Sequence, residues 1–121
     1  MNNLSKSYED YIEAILVVQE KYGKVQSVNI AREMNVSKPA VHKAMDELIE
    51  LGYIQKEPYG GIFLTDKGRE VAKQIYDKHL SIKKFLIKLG VNEKTAEKDC
   101  CLIEHVISDE TLDKIKEFLN K

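Results

Sequence analysis

Cys101, Glu104 and His105 stand at i, i+3 and i+4 in a stretch otherwise made of Leu102, Ile103, Val106 and Ile107. If that stretch is helical, the spacing brings a thiolate, a carboxylate and an imidazole onto one face. Such a set makes half of a transition-metal site. Cys100 to Glu104 is also i, i+4, so spacing alone leaves open which sulfur would serve. Asp10 and Glu13 form a second pair of carboxylates three residues apart, and His79 is one of three histidines in the chain. Each residue also has an ordinary structural use. Asp10 and Glu13 could be a solvated helix face, Glu104 and His105 an exposed polar step, and either cysteine a small buried apolar residue. His79 could pair with Asp77, Glu70 or Asp66.

A second group has the residue types of a DNA-reading surface. In Ser37-Lys38-Pro39-Ala40-Val41-His42-Lys43, a helix would turn Val41 inward with Ala44 and Met45 and leave Ser37, Lys38, His42 and Lys43 outward. Pro39 and Ala40 could touch thymine methyl groups, and Lys43 could reach a guanine edge or a phosphate. Lys56 and Tyr59 follow, placed to touch the flanking backbone, and Ser27 at the start of the preceding short helix is counted with them.

The elements that must position these groups are legible from periodicity and caps. Tyr8, Tyr11, Ile12, Ile15 and Leu16 recur at helical spacing from about Tyr8 to Lys21, with Ser5 or Ser7 as the cap. Ser27 is expected to cap a short helix to Met34. After the turn at Asn35-Val36, Ser37 caps a third helix with Pro39 in its first turn, where a missing N–H costs nothing. Gly52 ends that helix. Two β-prone runs, 53–57 and 62–65, flank Pro58-Tyr59-Gly60-Gly61, which predicts a hairpin. A long helix follows from about Lys67 to Leu89, capped by Thr65 or Asp66, then helices from about Glu93 to Ile107 and Asp109 to Leu119. Two short helices joined by a tight turn, then a hairpin, is the layout of a winged helix-turn-helix. The expected fold is mostly α with a small β-hairpin wing, a winged helix-turn-helix over 1–70 and a helical domain over 71–121.

Composition narrows the function. The chain has 121 residues with 19 Lys+Arg, 20 Asp+Glu and a formal net charge of -1. A chain this long buries roughly two thirds of its unfolded surface, enough for a core without staples. No apolar run approaches the ~18 residues of a membrane span, and Met1-Asn2-Asn3-Leu4-Ser5-Lys6 lacks a signal-peptide core. Membrane insertion and secretion are therefore not expected. Adjacent cysteines cannot close a long loop, and free thiols point to a reducing cytoplasm. Through residue 60 there are seven basic and nine acidic residues, and twelve and eleven after it, so neither half is a charged tail. One copy carries too few cations for tight DNA binding, which points to two copies on a palindromic site.

Several segments together carry a family resemblance. They are Glu9-Asp10-Tyr11-Ile12-Glu13, the helix start Ser37-Lys38-Pro39-Ala40-Val41, Leu64-Thr65-Asp66-Lys67-Gly68, Lys78-His79, and the run from Cys101 through Glu104-His105 to Glu110. In order and spacing the sequence resembles the iron- and manganese-dependent repressors, the diphtheria toxin repressor and manganese transport regulator group, over essentially its whole length. The resemblance implies a winged-helix domain followed by a helical dimerisation domain, in a cytosolic homodimer that binds double-stranded operator DNA when loaded with divalent metal. It implies a metal set of Asp10, Glu13, His79, Cys101, Glu104 and His105, and favours Cys101 over Cys100. Asp10 and Glu13 are of the manganese type and Cys101 of the iron type. Glu97 stands where the iron type has an ancillary-site histidine, and Lys83 where it has a carboxylate, a departure that argues against a second site of that kind. The chain ends where iron-type members continue into an SH3-like domain, as shorter manganese-type members do.

The expected mechanism is electrostatic. Asp10, Glu13 and Glu104 in one pocket repel one another, and a divalent cation relieves that repulsion and fixes the first helix. Imidazole ligands compete with protons, so metal affinity should fall below about pH 6.5. A soft thiolate favours Fe2+, Co2+, Ni2+ or Zn2+, while Asp10 and Glu13 suit Mn2+. Fe2+ is therefore expected first with Mn2+ close behind, and Co2+, Ni2+ or Zn2+ could substitute in vitro. Leu112, Ile115, Phe118 and Leu119, with Val106 and Ile107, form an apolar stripe expected to serve as dimer surface, core, or both. No nucleophile, Gly-rich loop or acid/base pair beyond the ligands suggests an enzyme or a small-molecule substrate. The competing reading is a winged-helix DNA- or protein-binding module that metal does not regulate.

Overall fold

The computed structural model describes residues 4–58 and 60–121. Tyr59, expected to touch DNA from the wing, lies outside the described residues. Two compact units divide within one helix, one ending at Lys73 and the other beginning at Gln74.

The first unit holds α1 (Lys6–Tyr22), α2 (Ser27–Met34), α3 (Lys38–Glu50), β1 (Ile54–Lys56), β2 (Ile62–Leu64) and the first turns of α4 (Asp66–Lys88). Ser5 caps α1 by accepting from the Tyr8 N–H at 3.3 Å, and Ser37 caps α3 by accepting from Ala40 at 3.3 Å. The expected cap of α2 needs correction. Ser27 is the first helical residue, and Gln26 occupies the cap position, its N–H donating to Asn29 Oδ1 at 3.0 Å. Asn35 then takes the left-handed conformation (φ 56) that separates α2 from α3, a conformation asparagine tolerates better than most residues. Ile12, Ile15 and Val18 of α1, Ile30 of α2, and Val41 and Leu48 of α3 are fully buried together with Ile54 and Leu64 of the hairpin.

β1 and β2 pair antiparallel with Ile54 opposite Leu64 and Lys56 opposite Ile62, and Val25 adds a bridge to Ile62. Thr65 fixes the entry to α4. Its hydroxyl donates to Gly52 O at 2.7 Å and accepts from the Gly68 N–H at 3.1 Å. Gly68 passes so close to β1 that a Cβ there would lie 2.0 Å from Tyr53 O.

The second unit holds the rest of α4, α5 (Glu93–Ile103) and α6 (Asp109–Leu119). Asn92 caps α5 and Ser108 caps α6, each accepting from N–H groups of the first turn. Ile82, Cys100 and Leu112 form its core, with Leu86, Ile103 and Ile107 packed against them. The expected α5 runs to Ile107, but the helix stops at Ile103. The Val106 N–H bonds to Ile103 O at 3.0 Å, an i→i−3 tightening that turns the chain toward the Ser108 cap. Leu112 and Ile115 of α6 face inward, whereas Phe118 is exposed and Val106 is 81% exposed. The apolar stripe is thus divided between core and free surface.

Candidate metal centre and nucleic-acid interface

Because α5 ends early, Glu104 is its C-cap and His105 lies in the turn beyond it. Cys101, Glu104 and His105 therefore do not share one regular helix face, which corrects the expectation from spacing. The chain nonetheless brings them near one another, since Glu104 keeps an αR conformation at the cap. Both the Glu104 and the His105 side chains are 1% exposed, with Glu104 Oε1 and His105 Nε2 3.4 Å apart.

His79 supplies the centre. It reaches α5 from α4 and is buried. Its Nδ1 lies 3.1 Å from Glu104 Oε2, 3.5 Å from Cys100 Sγ and 4.0 Å from Cys101 Sγ. The ligand atoms of His79, Cys100 and Cys101 all lie within 4.8 Å of one another. A cation bonded at ~2.1 Å to nitrogen and ~2.3 Å to sulfur spaces these ligands about 3.6 Å apart in tetrahedral geometry. The donor set and its spacings fit a first-row divalent ion.

The two sulfurs are not equivalent. Cys100 is fully buried among Ile82 and Leu112, and its thiol donates to Glu97 O at 3.2 Å. Burial pushes this thiol up to about 12, reinforced by Cys101 and by the Glu97 and Glu104 carboxylates. Cys101 is exposed. The side chain best suited to ionise at a metal is the outer one.

Spacing did not reveal the partner on the other edge of the ring. Instead of Asp77, Glu70 or Asp66, the His79 Nε2 faces the Glu97 carboxylate at 3.1 Å, and Asp77 pairs with Lys116. Lys83 holds Glu97 at 3.0 Å. Burial alone would raise the Glu97 carboxyl, but the Lys83 hydrogen bond and the charges of His79 and Lys83 hold it below its ordinary value. The available signal was that His79 and Lys83, and Glu97 and Cys101, are i, i+4 pairs on their helices.

Asp10 and Glu13 belong to α1 in the first unit, where both are half-buried and Asp10 pairs with Lys6 at 2.9 Å. The helix-turn-helix residues lie in the same unit. Lys38, Pro39, Ala40, His42 and Lys43 are exposed on α3, while Val41, Ala44 and Met45 anchor its other face. Ser37 is exposed at the α3 cap, Ser27 is half-buried at the start of α2, and Lys56 is exposed on β1.

Residues 3–62 match the profile described as the iron dependent repressor N-terminal DNA binding domain, and residues 65–121 match its metal binding and dimerisation domain. The chain belongs to the iron-dependent repressor family. Members are metal-dependent transcriptional regulators, not enzymes. The chain is 44% identical over 120 residues to an uncharacterized HTH-type transcriptional regulator of Methanocaldococcus jannaschii, covering 98% of this chain and 96% of that one. It is 34% identical over 113 residues to the transcriptional regulator MntR of Escherichia coli, covering 93% and 73%. Among solved structures, the manganese regulator SloR superposes with a TM-score of 0.82 at 32% identity. That likeness covers 93% of this chain but 53% of SloR, so the chain spans about half of that relative's length. No helix among the described residues is long and apolar enough to cross a membrane.

Proposed function

We propose that this chain is a cytoplasmic repressor that binds operator DNA as a homodimer when loaded with a divalent metal, Fe(II) first and Mn(II) as the alternative. The observation that carries the reading is the convergence of Glu104 Oε2 and two cysteine sulfurs on His79 Nδ1, inside the segment that matches a metal-binding and dimerisation domain. Residues 1–70 form the DNA-binding domain in this reading and 71–121 the metal-binding and dimerisation domain. His79, Cys101, Glu104 and His105 hold the cation, and Asp10 and Glu13 complete the set on the strength of the family resemblance.

The bound cation would supply positive charge that lets buried carboxylates approach one another. Glu104 offers a carboxylate that is 1% exposed, and His79 and His105 offer imidazoles that bind a cation in their neutral form. Asp10 and Glu13, drawn into the same set, would hold α1. That helix packs against α2, α3 and β2, so holding it restricts the reading helix. On that helix Lys38 and Lys43 meet phosphates or guanine edges, Pro39 and Ala40 meet thymine methyls, and Ser37 and His42 offer hydrogen bonds. Ser27 and Lys56 contact the flanking backbone.

Metal preference turns on Cys101. A thiolate favours Fe(II) over Mn(II), while an all-carboxylate and imidazole set favours Mn(II). The similarity to a manganese regulator keeps Mn(II) in view. The test is anaerobic fluorescence anisotropy on a palindromic duplex selected from a random pool, titrated with Fe(II), Mn(II) or chelator. Chelation and His79→Ala should each weaken binding at least about tenfold, within the usual range of allosteric coupling. Binding that ignores metal and survives His79→Ala would instead favour an unregulated winged-helix module. Cys101→Glu should move the response toward Mn(II), and an unchanged metal profile would remove Cys101 from the ligand set.

A further inference from the structure

The His79 ring is held on both edges. Nδ1 faces Glu104 Oε2 at 3.1 Å, and Nε2 faces the Glu97 carboxylate at 3.1 Å. Glu97 is itself fixed by Lys83 Nζ at 3.0 Å, and Lys83 also lies 3.8 Å from Glu93. The Tyr76 ring lies parallel to the imidazole within 4°, with centroids 6.4 Å apart. Ammonium, carboxylate, imidazole and carboxylate thus follow one another from Lys83 to Glu104.

The two edges of the ring differ in what they can offer a cation. On the Nδ1 side stand Glu104 and the outer sulfur of Cys101, a hard and a soft donor, while Cys100 Sγ lies almost equally far from both nitrogens, 3.5 Å from Nδ1 and 3.7 Å from Nε2. On the Nε2 side stands Glu97, already paired with a lysine ammonium. An ionised carboxylate has only acceptors, so the ring nitrogen 3.1 Å from Glu97 must carry a hydrogen. In a neutral ring that hydrogen is the only one, and the lone pair is left on Nδ1. A lone pair 3.1 Å from the Glu104 carboxylate is an arrangement that a cation bonded to both atoms satisfies. Buried ligating histidines commonly have their free N–H fixed by a carboxylate in this way.

We propose that Glu97, braced by Lys83, is a positioning residue that keeps the His79 proton on Nε2 and so presents the Nδ1 lone pair to the metal. The proposal rests on His79 being a ligand. It adds a residue outside the ligand set, and a lysine where a cation would otherwise neutralise Glu97.

The test uses the full chain with 15N-labelled histidine and Cd(II), a diamagnetic ion suited to thiolate and imidazole. Long-range 1H–15N spectra report which nitrogen carries the proton, and chelator competition reports affinity. With Cd(II) bound, His79 should be metallated at Nδ1 and protonated at Nε2. Glu97→Gln keeps the shape, and its amide can donate or accept, so the neutral ring should populate both tautomers. Cd(II) affinity should fall tenfold to a hundredfold, the usual effect of removing such a partner. Lys83→Met should give a smaller loss in the same direction. The Glu97 side chain is 47% exposed and that of Lys83 25%, so neither change opens the core, and circular dichroism checks that each variant is folded. Unchanged tautomer in Glu97→Gln, whether or not affinity falls, overturns the positioning role, as does Cd(II) on Nε2 in the parent protein. His79→Ala separates the two levels: if it leaves Cd(II) affinity intact, the ligand assignment itself fails.

Discussion

Cys100 and Cys101 are neighbours in sequence and opposites in chemistry. Successive residues of a helix point about 100° apart, so one sulfur enters the core of the second unit and the other leaves it. A thiol pushed up to about 12 is ionised to about one part in 10⁴ at pH 8, against roughly a quarter for an ordinary thiol. Maleimide or iodoacetamide at pH 8 should therefore label Cys101 at least about a hundredfold faster than Cys100, read by peptide mass spectrometry. Added metal should slow the Cys101 reaction, and equal labelling of both would contradict the burial of Cys100. The same sign applies to stability. The folded state holds Cys100 protonated while an unfolded thiol ionises, so its contribution is full below about pH 8.5 and lost as pH rises toward 12. Residue spacing put Cys101, Glu104 and His105 in view together because all three lie within one short segment, in which Glu104 and His105 come within 3.4 Å of each other. It did not show that Glu97 faces His79, because that contact depends on how α4 and α5 pack.

At the level of elements, caps and periodicity carried most of the information. Ser5, Ser37 and Ser108 each precede an apolar repeat and each accept the expected N–H, so three helix starts are legible from local chemistry. The misses have the same physical origin. Gln26 displaces Ser27 as the α2 cap because the Asn29 side chain bonds back to its N–H, a reciprocal arrangement that a serine preference does not anticipate. Apolar residues continue to Ile107, so periodicity extends α5 past the point where the turn to Ser108 ends it. Gly68 shows a constraint that no local pattern reveals: its freedom from a side chain is required by the Tyr53 carbonyl, fifteen residues earlier. Gly68→Ala should force α4 away from β1 and cost about 1–3 kcal/mol, the range for inserting atoms into a packed contact. Urea unfolding followed by circular dichroism measures this, and a variant within 0.5 kcal/mol of the parent (roughly the scatter for neutral surface changes) would show that the contact yields freely.

For the molecule as a whole, the near-zero net charge of -1 makes local charge decisive. A protein with no strong overall field gains its DNA affinity from the few cations that touch phosphate, the part proposed for Lys38, Lys43 and Lys56, and from doubling them in a dimer. In the proposed mechanism metal acts by changing how those residues are presented. Such coupling is an equilibrium property and must run both ways. If metal tightens operator binding by some factor, operator must tighten metal binding by the same factor. The measurement is chelator competition for Mn(II) with and without the selected duplex, at protein concentrations where the dimer is complete, compared with anisotropy titrations with and without Mn(II). The two factors should agree within error, near tenfold or above. Both should fall toward one in His79→Ala. A strong effect of metal on DNA binding with no effect of DNA on metal affinity would mean that metal acts on assembly instead of on the reading helix. Repeating the titration across protein concentration would then reveal a dimerisation constant that shifts with Mn(II), and the link from ligand set to α1 would have to be abandoned.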